Sequence, residues 1–435
     1  MSDIVEKIRD AGVIGAGGAG FPTHVKIASA RPEYVIANGA ECEPLLRVDR
    51  QVMEFHADDV VEGLRLVMNH TGATRGVIAL KEHYKSAIAA LEGIAAKKGV
   101  TLHLMKSFYP AGDEQQLVHD ITGRVVPTGG IPLDTGAVVL NVSTLTNVAA
   151  AAGDIPVTEK YVTVTGAVRR PATFRAPVGI SMKRLVEEAG GVDGDCAFII
   201  GGPCMGRVET DIDIPVGKAT GGIIAIPAVH PLRIIKNDRM NLQLIKAACC
   251  QCSICTQMCP RNSLGLRVEP HKAMRSLAQG MDLMDGANGV FSCCECGICT
   301  YYACNFGLKP SLVMGRTKAA MQKTGIKPVK EVSSQEDRAM ESKRIPTRRL
   351  IHRLGLSEYD VDAPLDERPV ETDAVRIPLK MHAGAPSMPV VTAGQPVRKG
   401  ELIADIPKSS LGARIHASIG GRVTDVTEKY IEIKV

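Results

Sequence analysis

Along its first third the chain alternates between short apolar runs and longer stretches that carry a single apolar stripe. The opening Met-Ser-Asp-Ile-Val-Glu-Lys-Ile-Arg-Asp reads as a short amphipathic helix. Tyr34-Val-Ile-Ala37 reads as a strand. Residues 49–69 read as one helix, with Val52, Phe55, Val60, Leu64 and Val67 on a common face. Residues 76–80 predict a buried strand, 84–98 a helix, and 100–105 and 137–140 two further strands. Strand and helix alternating in this way predict a parallel sheet covered on both faces. From Tyr161 the pattern changes to short strands around a helix over 181–189, and helices are expected over 269–279 and 310–323. Residues 327–371 are charged and lack a steady apolar period, which predicts a linker with some helix. From Arg376 onward come short strands and turns. The fold class expected is α/β and multidomain.

Composition narrows the functional classes. The 435 residues leave room for about three domains. Lys and Arg number 52 against 47 Asp and Glu, a net charge of +5 that is too small and too dispersed to point to nucleic acid. Aromatic residues make up 3% with no Trp, which argues against base-stacking platforms and a membrane interface belt. No apolar run approaches the ~18 residues of a membrane span, and the N-terminus lacks the apolar core of a signal peptide. A cytoplasmic, reducing setting is the expectation.

The cysteines change the picture most. Ten of thirteen fall within the 56 residues from Cys249 to Cys304. Cys249-Cys250-Gln-Cys252-Ser-Ile-Cys255-Thr-Gln-Met-Cys259-Pro260 contains the C-x2-C-x2-C-x3-C-P run of bacterial ferredoxins, in which three thiolates cap one [4Fe–4S] cube and the fourth reaches its neighbour. Cys293-Cys294-Glu-Cys296-Gly-Ile-Cys299-Thr-Tyr-Tyr-Ala-Cys304 repeats it with one extra residue and with Asn305 in place of proline. The exchange assigns Cys249, Cys252, Cys255 and Cys304 to a first cluster, and Cys293, Cys296, Cys299 and Cys259 to a second. Cys250 and Cys294 are left over, because either one as first ligand would break the spacing. A zinc site is the alternative for paired C-x2-C motifs, but eight ligands overfill one ion. Disulfides fit such clustered runs less well. Cys196 and Cys204 lack metal spacing and read as small buried residues.

Upstream, Gly15-Ala-Gly17-Gly18-Ala-Gly20-Phe21-Pro22-Thr23-His24-Val25-Lys26 formally contains G-x-G-x-x-G, yet a helical pattern precedes it where a dinucleotide fingerprint needs a strand. Its glycines let backbone N–H groups approach a phosphate or a flat ring, and Lys26 is placed to meet an anion; a plain glycine-rich turn is the alternative. Asn38-Gly39-Ala40-Glu41-Cys42-Glu43-Pro44, Gly112-Asp113-Glu114 and Asn141-Val-Ser-Thr144 all follow strands, where α/β folds bind ligands. Helix capping is the alternative for each loop taken singly.

Together these motifs resemble the flavin- and NADH-binding subunit of respiratory complex I and, more closely, the C subunit of the Rnf electron-transport complex. The resemblance implies FMN held by Gly15, Gly17, Gly18, Lys26, Asn38, Asn141 and Thr144, and NADH contacted by Phe21, Glu43 and Glu114. Ala40 stands where the complex I pattern has an acidic residue, and His24 where it has glycine. It further implies a Rossmann-like FMN/NADH domain over 1–155, a β-grasp module of the soluble-ligand-binding (SLBB) type over 156–235, and a helical two-cluster ferredoxin-like domain over 236–325. A charged linker over 326–374 and a barrel-sandwich hybrid domain over 375–435 complete the expected order. The β-grasp module reads as a spacer, with a corrinoid docking surface as the alternative. No lysine of the barrel-sandwich stands in a modified-hairpin context. The C-terminal barrel-sandwich and the Cys-Thr-Tyr-Tyr-Ala-Cys motif resemble the cobalamin-reductase branch of bacterial propanediol-utilisation microcompartments. The implied function is an NADH-dependent FMN and iron–sulfur reductase without a protein acid or base, since the cofactors carry the chemistry. Cobalamin is the implied acceptor, with an adenosyltransferase or shell proteins as further partners. An Rnf-like subunit with a non-corrin acceptor and a flavin-free cluster carrier are the alternatives.

Overall fold

The computed structural model describes residues 3–236, 239–280, 287–331 and 335–435. Its N-terminal sheet is wholly parallel, in the order Val100–Met105, Arg75–Lys81, Tyr34–Gly39, Ala137–Asn141. Side chains alternate across it. Val35, Ala37, Ile78, Leu80, Val138 and Leu140 enter one apolar core, and Tyr34, Ile36, Val77, Ala79 and Val139 enter another on the opposite face. Both faces are therefore buried, as a parallel sheet requires. The chain leaves Tyr34–Gly39 on one side toward Arg75–Lys81 and returns on the other as Ala137–Asn141. The register sets Asn38 beside Asn141 at the carboxyl ends of these two strands, in the crevice where such sheets take ligands.

The single helix expected over 49–69 is two, Val48–Phe55 and Ala57–Thr71. His56 breaks the run at φ −126° and ψ 37°, and its ring lies 2.8 Å from the Tyr161 hydroxyl. Asp58 and Asp59 then fall in the first turn of the second helix, where acidic side chains favour a helix start.

Beyond this unit a six-stranded mixed sheet has the order Leu365–Pro369, Ala172–Pro177, Glu159–Gly166, Gly222–Pro227, Cys196–Ile200, Arg207–Glu209. Met182–Glu188 packs on it through Met182, Leu185 and Val186. The cysteine region is built of short helices, with Pro270–Gln279 against Pro310–Lys323. The C-terminal residues form two small sheets around Val375, Ile377, Ile403, Ile415, Val423 and Ile433. No helix among the described residues is long and apolar enough to cross a membrane.

The charged stretch expected as a linker is a packed strap. Ile345–Pro346 pairs antiparallel with Phe108–Tyr109, and Leu365–Pro369 adds a parallel edge strand to the mixed sheet. Between them Thr347–Arg353 is helical, and Leu350, Ile351, Leu354 and Leu356 are buried. They share a core with Leu45 and Tyr109 of the first unit, Ile199 and Ile224 of the mixed sheet, and Cys296 and Ile298 of the cysteine region. The apolar positions are too few for a clear period because the strap buries only one short helix against three neighbours. Replacing Leu350 by Ala should cost about 2–5 kcal/mol in denaturant unfolding; a loss under about 0.5 kcal/mol, as at a solvated surface site, would mean the strap is not packed.

Candidate active site

Four loops meet at the carboxyl ends of the central strands. The glycine segment runs from the first helix, Ile4–Asp10, to the short helix Thr23–Ile27, and Gly17, Gly18 and Ala19 are exposed. Gly18 has φ +126°, and a side chain added there would meet nothing within 4 Å, so the loop presents bare backbone to open space. Ala16 beneath it is fixed by its N–H, which donates to Thr144 Oγ1 at 2.9 Å. Gly20 O accepts from Ala383 N of the C-terminal sheets at 3.0 Å. Lys26 Nζ reaches Val139 O at 2.7 Å and Glu114 Oε1 at 3.2 Å, while Phe21 is 38% exposed beside the same loop.

Several side chains expected to touch a ligand shape the loops instead. Asn38 Nδ2 donates to Gly112 O at 2.9 Å, and its Oδ1 accepts from Ala40 N at 3.2 Å. Gly112 must be glycine for that approach, since a side chain would meet Cys42 Sγ at 2.9 Å and Asn38 Oδ1 at 3.1 Å. Asn141 caps the helix Val142–Ala152, accepting from Ser143 N at 2.9 Å and donating to Asp49 at 2.8 Å. Thr144 is fully buried. These contacts set the glycine segment Gly15, Gly17, Gly18 and Phe21 beside Asn141 and Thr144, and through Lys26 beside Glu114, at the carboxyl ends of the strands that carry Asn38 and Asn141. A flat, anionic group fits that arrangement of bare glycine backbone, exposed ring and lysine.

Glu43 lies apart, at a junction of three units. Its carboxylate accepts from Cys204 N at 2.8 Å and Met205 N at 3.2 Å, both on the mixed sheet's Gly201–Gly206 turn. The Tyr109 hydroxyl lies 2.9 Å from Glu43 Oε1 and 2.8 Å from the Cys296 carbonyl, sharing its one proton between them. A side chain on Gly202 would collide with Glu43 Oε2, so only glycine lets the turn close over the carboxylate. Burial pushes the Glu43 carboxyl up from its ordinary value, and the bonds from Cys204, Tyr109 and Met205 draw it back. Nearby, Arg261 Nε and an Nη hold Asp113 bidentately at 2.6 and 2.5 Å, and another Nη reaches Ser292 O at 3.1 Å. Asp113 in turn caps the helix Glu114–Thr122.

The thiols fall into two groups. Burial pushes Cys255 up to about 11, and the charges of Cys304, Cys252 and Cys249 add to the effect. Burial likewise raises Cys299, whose neighbours include Cys293 and Cys259. Cys296 is raised by its bond to Cys294 and by Cys259. The neighbours of Cys255 are those expected from spacing, whereas Cys299 also feels Cys255 and Cys294, so the two expected sets adjoin. Among the described residues no three side chains close on a point as around one ion. The groups differ in exposure: Cys252 is exposed, whereas Cys259, Cys296 and Cys299 are buried. The spare thiols differ too, Cys250 facing solvent and Cys294 lying against Cys296.

Sequence reading placed Asp113 at a helix start, where it caps Glu114–Thr122, and missed Tyr109, Arg261, Asp49 and Lys160. Lys160 alone left a signal: in the strand Glu159–Gly166 it shares the face of Val162 and Val164, so period-two patterning buries it. The others act through partners distant in sequence.

Comparison with known proteins accounts for each unit. Residues 8–150 match the Nuo51 FMN-binding domain, 161–207 the SLBB domain, 248–309 the 4Fe-4S dicluster domain and 351–434 the RnfC barrel sandwich hybrid domain. The chain is 35% identical over 267 residues to the C subunit of the Na(+)-translocating ferredoxin:NAD(+) oxidoreductase complex of Acetobacterium woodii, covering 60% of this chain and 58% of that one. It is 39% identical to cobalamin reductase PduS of Salmonella typhimurium and 40% identical to that of Citrobacter freundii, in each case over 99% of this chain and 96% of the relative. With all four units matched in order and similarity running the whole length, the chain belongs to the cobalamin reductase PduS family of flavin and iron–sulfur oxidoreductases.

Proposed function

We propose that the chain uses NADH to reduce cobalamin for a B12-dependent diol dehydratase, in the cytoplasm and within a bacterial microcompartment. The observation that carries this reading is the junction at Glu43, Tyr109 and Asp113–Arg261, which joins the strand-end loops directly to the loop of the second thiol group. When bound, FMN exchanges an electron pair with NADH and single electrons with [4Fe–4S] clusters. The chain's own part is to hold and align. Gly15, Gly17 and Gly18 supply bare backbone, Lys26 a cation and Phe21 an exposed ring for stacking. Asn38, Asn141 and Thr144 fix the loops around them. Glu114 stands at the cleft edge, paired with Lys26. Glu43, expected to contact NADH, lies apart from the glycine loop with three hydrogen-bonding groups already around its carboxylate, so its part is to hold the junction.

Cys293, Cys296, Cys299 and Cys259 would hold the inner cluster, shielded from water beside Tyr109 and Arg261. Cys249, Cys252, Cys255 and Cys304 would hold the outer one, where exposed Cys252 and Phe306 face solvent. An acceptor as large as a corrinoid then needs no pocket inside the protein, only access to that outer surface.

Anaerobic purification should yield about eight irons and one FMN per chain. NADH should bleach the visible spectrum, and cob(III)alamin should restore it. Bleaching without re-oxidation by cobalamin would move the acceptor elsewhere, and an absence of flavin would leave only a cluster carrier. In Cys259→Ser the iron signal of the buried group should fall well below that of the exposed group by paramagnetic resonance; equal loss would sink the exchange of fourth ligands. Tyr109→Phe leaves a buried carboxylate oxygen and the Cys296 carbonyl short of a donor. It should cost about 1–3 kcal/mol in denaturant unfolding, and an unchanged midpoint would show that the junction carries no load.

A further inference from the structure

Among the described residues the buried lysines Lys81 and Lys218 each hold a bond of 3.0 Å or shorter, as does half-buried Lys236, and Lys160 does not. Lys218 Nζ donates to Gly12 O at 2.7 Å and Arg414 O at 2.8 Å. Lys236 Nζ has Pro203 O, Cys204 O and the Tyr301 hydroxyl within 3.3 Å. Lys81 Nζ donates to Glu41 O at 3.0 Å. Lys160 is 7% exposed, yet its three donors share one long contact, to Ala16 O at 3.4 Å. Among the described residues no carboxylate reaches ion-pair distance of it. The opposing charges that act on it are those of Asp49 and Glu41. Asp49 is held by Asn141 at 2.8 Å and Ser143 at 3.4 Å, and Glu41 by the backbone N–H groups of Asp49 and Arg50. An ammonium out of water with its donors unfilled is costly, and this one points at the backbone of the glycine loop.

The geometry points to Lys160 as a flavin-site cation delivered by the mixed-sheet module, whose missing partner is an anionic group of the bound flavin. The inference rests on the flavin reading above and extends it. The module then completes the site and is not a spacer, because the strand Glu159–Gly166 carries the charge beneath a loop belonging to another unit. The phosphate carries that charge in the oxidised flavin, whose ring is neutral.

The full chain, freed of flavin with its clusters retained, would be titrated with FMN and with riboflavin by fluorescence quenching. Lys160→Gln should weaken FMN about tenfold or more, the loss of one charge-assisted bond, and Lys160→Arg should recover most of it. A loss confined to FMN assigns the phosphate; an equal loss for riboflavin, which carries no charge, would overturn the inference. Asp49→Asn removes the opposing charge and should tighten FMN, which decides the matter if Lys160→Gln does not fold. Lys160→Gln binding FMN within about twofold of the parent, or Asp49→Asn leaving the affinity unchanged or weaker, would overturn the inference. A parent chain that binds no FMN would instead overturn the flavin reading itself.

Discussion

One carboxylate ties this molecule together. Glu43 leaves the end of the central strand's loop and takes the backbone N–H groups of Cys204 and Met205 from the mixed-sheet module. The Tyr109 hydroxyl between Glu43 and the Cys296 carbonyl extends the same contact to the cysteine region. The polar knot sits in an apolar junction that includes Leu45, Ile199, Ile298 and Leu350. In such surroundings a missing partner costs more than a satisfied one contributes. Each unit is therefore held in register by the others, and Gly202, which no larger residue could replace without meeting Glu43, keeps the knot closed.

The same economy of partners explains the cleft. Asn38, Asn141 and Thr144 mostly bond to the protein itself, fixing Gly112, the helix start at Val142 and the Ala16 N–H. The glycine backbone at Gly17 and Gly18 and the ring of Phe21 stay exposed, while Lys26 bonds Val139 O and Glu114. Loops held this way arrive preorganised, so a bound group need not order them. The C-terminal sheets join in through Ala383 N on Gly20 O, and the mixed-sheet module through Lys160 on Ala16 O. The glycine loop is thus braced from both sides by units far away in the chain.

The two thiol groups have unlike surroundings although their motifs are near copies. The exposed group carries Cys252 and the solvent-facing Cys250, and the buried group packs beside Arg261 and Tyr109 with Cys294 turned inward. One set is shielded by protein and the other lies nearer the surface. The difference arises from packing, because the added residue before Cys304 and the missing proline after it do not by themselves say which group faces water.

Much of this was legible in the sequence. Period-two and helical patterns located the four parallel strands and most of their helices, since a sheet buried on both faces leaves continuous apolar runs at Tyr34, Gly76, Val100 and Ala137. Cysteine spacing singled out the stretch from Cys249 to Cys304, which the 4Fe-4S dicluster match covers. What the pattern could not supply were contacts between distant positions. His56 broke a helix to meet Tyr161; Leu350 and Leu356 turned a charged stretch into a packed strap; Arg261 found Asp113, and Lys160 the glycine loop. Local chemistry is written in neighbouring residues and can be read there. Which unit covers which loop is decided by the tertiary structure, since only the folded chain determines where a buried charge finds its partner.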